Sequence, residues 1–185
     1  NKEAAGLKHI GQHKNALLAY QRELELMKSY QIDSYSLKKE LHQNLLATYF
    51  DLNDYENCFE QIDILLSYAK EQQIPSDQIY SLTFKGAIAV ETGQLDSAEI
   101  YLNKASKLTQ NQLSTKDSLS RSVQTSMAII MKRLGDVSLT KHAIYQATDL
   151  YQEALIFAQK TKKQDLIASI YNNLAGVYRN QGDII

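Results

Sequence analysis

The amino-acid sequence predicts an all-α fold, a helical-repeat solenoid built from antiparallel helix pairs. Three observations carry that reading. A turn-like tag recurs at Gly11-Gln12-His13, Asn53-Asp54-Tyr55, Gly93-Gln94-Leu95, Gly135-Asp136-Val137 and Gly182-Asp183-Ile184, with spacings of 42, 40, 42 and 47 residues. Self-similarity at a near-fixed period is the mark of a repeat architecture. The 185 residues contain one Pro and seven Gly, so little interrupts a helix. After most tags a small residue stands five positions on (Ala16, Cys58, Ala98) and an apolar one four later (Tyr20, Ile62, Leu102), which puts both on one helix face.

Each element follows in order. The stretch before a tag has helical patterning, as in Leu41-His42-Gln43-Asn44-Leu45-Leu46-Ala47-Thr48-Tyr49. The unit is therefore helix, tight turn, helix, used about four and a half times to give about nine helices. Pro75-Ser76 and the box Ser114-x-x-Asp117 predict helix starts. In the fourth unit Thr140, Ile144 and Ala147 fit the second-helix pattern, but Ala147, Tyr151 and Ala154 fit it better seven residues later. A seven-residue shift turns a helix face by only ~20°, so Val137 to about Lys160 is predicted as one helix of roughly 36 Å. Lys160, Lys162 and Lys163 stand at its end, where cations complement the helix dipole; a phosphate-binding patch is the other reading. Residues 168–181 read as the first helix of a fifth unit, with Leu174, Ala175 and Tyr178 on its packing arc and Ile184-Ile185 opening a second helix. The chain starts at Asn1 without an initiator Met and without a basic-then-apolar leader, and is read as a piece of a longer protein. More chain beyond Ile185, or a partner on that end, is expected to cover the last packing arc.

The segment Asn44-Leu45-Leu46-x-x-Tyr49, followed by Asn53-Asp54-Tyr55-x-x-Cys58, resembles a tetratricopeptide repeat (TPR). Asn173-Leu174-Ala175-x-x-Tyr178 with Gly182-Asp183 is similar, as are Gly86 with Gly93-Gln94-Leu95-x-x-Ala98 and Ala105, and Met127-Ala128-x-x-Met131 with Leu134-Gly135-Asp136. The resemblance implies a right-handed solenoid covering nearly the whole chain. It departs from the usual period of about 34 residues, which requires extra helical turns between repeats. Lys85 also stands where the family prefers an aliphatic residue.

Composition narrows the function. Lys and Arg total 20 and Asp and Glu 21, for a net charge of −1, which is no nucleic-acid footprint. No apolar run approaches the ~18 residues of a membrane span. The single Cys58 excludes an internal disulfide framework; it fills a small-residue packing position and reads as a buried, inert thiol. His9 and His13 are four apart, but Gly11 marks a turn between them and no third metal ligand is near. His42 and His142 stand alone and read as surface or interhelical groups. No phosphate loop, His-Glu-x-x-His motif or Ser elbow is present. Tyr20, Tyr49, Tyr55, Tyr151 and Tyr178 fall at packing positions rather than forming a base-stacking platform. No cofactor, metal or catalytic constellation is expected, so the chain is not expected to be an enzyme.

Helical phase separates a packing arc from a free one. On the first helix of the second unit, Leu41, Leu45, Leu46 and Tyr49 pack, while Glu40, Gln43, Asn44, Ala47, Phe50 and Asp51 cover the opposite arc. By the resemblance, the free arcs of first helices line a concave groove. The matching positions are Tyr80, Thr83, Phe84, Ala87, Val90 and Glu91, then Thr125, Ser126, Ile129, Lys132 and Arg133, then Asn172, Asn173, Gly176, Arg179 and Asn180. Acidic Glu40, Asp51 and Glu91 precede basic Lys132, Arg133 and Arg179, so a polarised groove is expected. The resemblance makes Asn44 and Asn173 clamps for a ligand's backbone; a hydrogen bond to a neighbouring helix is the other reading, and both stand here. Phe50 and Phe84 either pack on adjacent units or touch the ligand. The resulting expectation is a noncatalytic module that binds a protein or extended peptide. The alternative is a sensory input domain of a bacterial signalling or transcriptional regulator, whose ligand would bias an output domain in the same polypeptide. A cytoplasmic site is expected, with periplasmic or membrane-tethered placement left open.

Overall fold

The computed structural model describes residues 2–9, 11–114 and 120–181. These form nine α-helices and no strand among the described residues: α1 (Lys2–His9), α2 (His13–Ser29), α3 (Tyr35–Asp51), α4 (Tyr55–Glu71), α5 (Pro75–Glu91), α6 (Leu95–Leu113), α7 (Arg121–Thr140), α8 (Ile144–Thr161) and α9 (Gln164–Gln181). Pro75 opens α5, where a missing N–H costs nothing. The expected start at Ser114 is corrected. Ser114 closes α6, its hydroxyl donating to Asn111 O at 2.8 Å. Asp117 and Gly182 to Ile185 lie outside the described residues, as does the Asn180 side chain.

One hydrogen-bond pattern ends six of the helices. At the α5 end, Gln94 N–H reaches back to Ala89 O (2.7 Å) and Gly93 N–H to Val90 O (3.0 Å), with Gly93 at φ +73°. This is a Schellman motif, in which a left-handed residue lets the chain satisfy the last carbonyls and reverse direction. The same pair of bonds recurs around Gly11, Gln31, Asn53, Gln73 and His142, all at positive φ. Turns at residues 11, 53 and 93 agree with the sequence reading. The fourth turn does not. It is centred on His142 (φ 60°), with Ala143 N–H to Ser138 O at 2.8 Å, so the predicted continuous helix from Val137 to Lys160 is two helices. Gly135 and Asp136 lie inside α7. Restoring this turn makes the register uniform: Ala16, Cys58, Ala98 and Ala147 each follow a left-handed residue by five positions, and all four are fully buried.

The chain divides into two compact units, Asn1–Ser81 and Leu82–Ile185, with the boundary inside α5. In the first, α1 packs on α2, α2 on α3 and α3 on α4. Its core holds Tyr20, Leu41, Leu45, Leu46, Cys58 and Ile62, as the packing arcs require. Asp77 ties the start of α5 to α3, accepting from Tyr35 Oη at 2.6 Å and Lys39 Nζ at 2.9 Å. In the second unit α6 packs on α7, α7 on α8 and α8 on α9, and α9 also touches α7. Leu102, Met127, Ile130, Tyr151, Ile170 and Val177 fill this core. Ala175 is exposed and Tyr178 half-buried, which corrects the fifth packing arc to Ile170, Leu174 and Val177. Lys85 is half-buried in its unusual place, with its ammonium over the Tyr101 ring, 5.0 Å from the centroid.

The role of Gly135 is contact. A Cβ there would stand 2.6 Å from Tyr151 Cε1, and at Gly86 one would stand 2.6 Å from Leu102 Cγ. Each glycine precedes its left-handed residue by seven positions and faces the residue nine positions after it. Gly176, by contrast, has open space at its Cβ. Gly135→Ala is therefore expected to cost roughly 1–3 kcal/mol by overpacking, whereas Gly176→Ala is expected to be neutral or to stabilise by up to about 1 kcal/mol. Urea titration of both variants checks this; equal effects would contradict it.

Candidate functional site

In the first unit the free arc of α3 is where helical phase puts it. Gln43, Asn44, Ala47 and Phe50 are half-buried, and Glu40 and Asp51 are exposed. Phe50 lies edge-on to Tyr55, centroids 6.1 Å apart, so its ring packs within the protein. Asn44 also makes interactions of its own within the chain. Asp51 pairs with Lys8 Nζ at 3.2 Å and lies 3.7 Å from His13 Nδ1. Its charge is therefore largely offset on the spot.

In the second unit two expected lining residues are packed away. Ala87 is buried in α5, and Thr125 is buried in α7 with its hydroxyl donating to Arg121 O at 2.7 Å. The remaining positions are accessible: Thr83, Phe84, Lys132, Arg133 and Asn173 are half-buried, and Glu91, Asn172 and Arg179 are exposed.

Asp136, read from sequence as a turn residue, is the junction of this face. Its Oδ1 accepts from Tyr151 Oη at 2.8 Å and from Asn173 Nδ2 at 2.7 Å, and its Oδ2 from Lys132 Nζ at 3.1 Å. One carboxylate thus links α7, α8 and α9. Burial, reinforced by the Asp136 charge, pushes the Tyr151 phenol above its ordinary range, so it stays a neutral donor. Asn173 spends its amide N–H on Asp136, which selects the neighbouring-helix reading for that group over a free backbone clamp. Lys132 is similarly engaged.

Arg133 differs. It is half-buried on the same helix, and burial pulls its guanidinium below the ordinary arginine range, with the Asp136 and Glu91 charges acting in opposition. Among the described residues no hydrogen bond or ion pair holds it. A desolvated guanidinium of this kind is suited to a planar carboxylate, which it can hold through two parallel N–H bonds. The polarity expected along the groove is narrowed by the local pairs: Asp51 is offset by Lys8 and Lys132 by Asp136, leaving Glu91 against Arg133 and Arg179 in this unit. The sequence held one signal for Asp136: it follows Gly135, which stands in the register of Gly86 rather than of Gly93.

Other candidate chemistry is placed as follows. His9 and His13 lie on separate helices, and no group of three His, Cys, Asp or Glu side chains among the described residues could hold a metal. Cys58 is fully buried, and burial pushes its thiol up to about 12, far from a reactive thiolate. His142 is the left-handed turn residue. Lys160, Lys162 and Lys163 are exposed at the end of α8. No described helix is long and apolar enough to cross a membrane.

Against solved structures, the fold is shared with BtubC (BKLC) from P. vanneervenii, at a TM-score of 0.77 and 17% identity over 97% of this chain and 70% of that one. A second match is the C-terminal part of a TPR repeat-containing protein from Cytophaga hutchinsonii, at a TM-score of 0.40 and 14% identity over 98% of this chain and 80% of that one. At such identity the first likeness is one of fold. Neither a family model nor a curated protein matches the sequence. The helix pairs, their small-residue contacts and their turns make the architecture TPR-like.

His42 supplies a pH test. It is 5% exposed between α3 and α4, with Nδ1 2.8 Å from Gln61 Oε1, and burial pulls its pKa below the ordinary value. An unfolded histidine gains its proton near pH 6.5, so below that pH the unfolded chain binds a proton that folded His42 does not. Stability should fall as pH drops from about 7 toward 5, and His42→Gln should flatten that slope. Denaturant titrations across this range give the answer; parallel slopes would contradict the assignment.

Proposed function

We propose that this chain is a noncatalytic module that binds a protein or extended peptide, using the face of α7 and α9 for an acidic group of the partner. The single observation that carries the reading is Arg133, whose half-buried guanidinium has no ion pair among the described residues. Removing a cation from water is unfavourable unless a partner compensates it; the Asp136 and Glu91 charges do so only in part, since the guanidinium stays below its ordinary range, and an incoming carboxylate adds to them. Arg179 and Asn172, exposed on α9, extend the same face. Asp136 holds α7, α8 and α9 in fixed relation, so the face is organised before a partner arrives and binding loses less entropy. Lys132 and Asn173 act here mainly as supports of that arrangement. Asn44, Gln43 and Asp51 on α3, and Thr83, Phe84 and Glu91 on α5, are further candidates within their own units.

The test is to select binders from a displayed random peptide library and titrate them against variants. Enriched peptides should carry Asp, Glu or a free C-terminal carboxylate. Arg133→Ala should weaken them about 10–100-fold, the range of a charge-assisted hydrogen bond, with an unchanged melting temperature. Binding should also weaken with added salt. Peptides without acidic groups, or full affinity in Arg133→Ala, would overturn the proposal.

A further inference from the structure

The first unit carries a cavity lined only by its own residues. It opens between α2, α3 and α4 with a volume of about 620 Å³. That is within the roughly 300–1,000 Å³ typical of small-molecule sites. Its apolar wall is formed by Leu24, Met27, Ile32 and Ile64, and none of Gln43, Asn44, Phe50 and Asp51 lines it.

His42 and Gln61 also line this cavity, and both are nearly buried, at 5% and 7% exposure. They are joined by one short bond, His42 Nδ1 to Gln61 Oε1 at 2.8 Å. That bond uses one hydrogen-bonding atom from each side chain. If His42 donates, its Nε2 is left as an acceptor and the Gln61 amide N–H as a donor. If the amide is turned, His42 Nε2–H is left as the donor and the Gln61 oxygen as the acceptor. Either arrangement leaves at least one donor and one acceptor with no hydrogen-bond partner among the described residues, and neither atom is sealed from solvent, so both are open to an occupant of the cavity.

The charged groups around the cavity balance. Lys28 and Lys38 face Asp33 and Glu60, and Lys38 is already held by Asp33 at 2.6 Å. Burial disfavours the protonated form of His42. Nothing there favours a net charge on an occupant. Tyr68 adds an aromatic wall, edge to the His42 ring with centroids 5.7 Å apart.

We infer that this cavity binds a small uncharged molecule with an aliphatic body and a carboxamide group, whose N–H and C=O complete the His42–Gln61 pair. The aliphatic part lies along Leu24, Met27, Ile32 and Ile64.

The experiment is a titration of the 185-residue chain with hexanamide, followed by amide proton–nitrogen NMR correlation spectra. Methyl hexanoate, which lacks the N–H, and hexanoate, which is charged, are the controls. Hexanamide should shift the signals of residues 24–33 and 60–68 saturably, and should bind at least about fivefold more tightly than either control, a difference within the range of one hydrogen bond. Ile64→Trp, which fills the cavity, should abolish all three interactions. His42→Phe should erase the preference for the amide while leaving weak apolar binding. Should His42→Phe fail to fold by circular dichroism, Gln61→Leu makes the same test. Absence of saturable shifts, shifts centred elsewhere, or equal affinity for amide and ester would overturn the inference.

Discussion

Close approach between consecutive helices is the constraint on which the rest of this structure depends. A short turn fixes where the second helix starts, and the left-handed residue in that turn fixes its direction. Around Gly93 and His142, the position seven before the left-handed residue meets the side chain nine after it. At Gly86 and Gly135 the first partner has no side chain at all, so Leu102 and Tyr151 lie directly against helix backbone. The buried Ala16, Cys58, Ala98 and Ala147 satisfy the same requirement from the other helix. Small residues here are a geometric condition, and the large side chains opposite them supply the buried area.

The polar chemistry of the second unit rests on that contact. Because Tyr151 lies against Gly135, its hydroxyl reaches the carboxylate of the adjacent Asp136, and the same carboxylate can take Asn173 from α9 and Lys132 from its own helix. A buried or half-buried carboxylate is unfavourable alone but favourable when its lone pairs are filled. Arg133, one turn away, feels the Asp136 charge but makes no hydrogen bond or ion pair among the described residues.

Most of the architecture was legible in the sequence because helix period, turn residues and small-residue positions all gave the same answer around Gly11, Asn53 and Gly93. The fourth pair was misread where these signals separated. Gly135-Asp136 has turn composition and the right spacing, yet a helix accepts Gly at modest cost when the gap is filled by a tyrosine ring. His142 carries the turn although its Cβ disfavours positive φ, because the Schellman bonds and the packing on both sides hold it there. The site was less legible. Phase alone placed Arg133 and Asn173 on the accessible arc, but the Asp136 network joins residues separated by 15 and 37 positions, and no local pattern encodes that. The His42–Gln61 pair likewise needs α3 and α4 in contact before it exists.

The position of the fourth turn tests this account most directly, and backbone NMR assignment of residues 130–155 locates it. The account predicts uninterrupted helical chemical shifts through Gly135 and Asp136, a positive-φ coupling signature at His142, and nuclear Overhauser contacts between the Gly135 α-protons and the Tyr151 ring. A break in helical shifts at Gly135–Asp136, with helix continuing through His142, would contradict it.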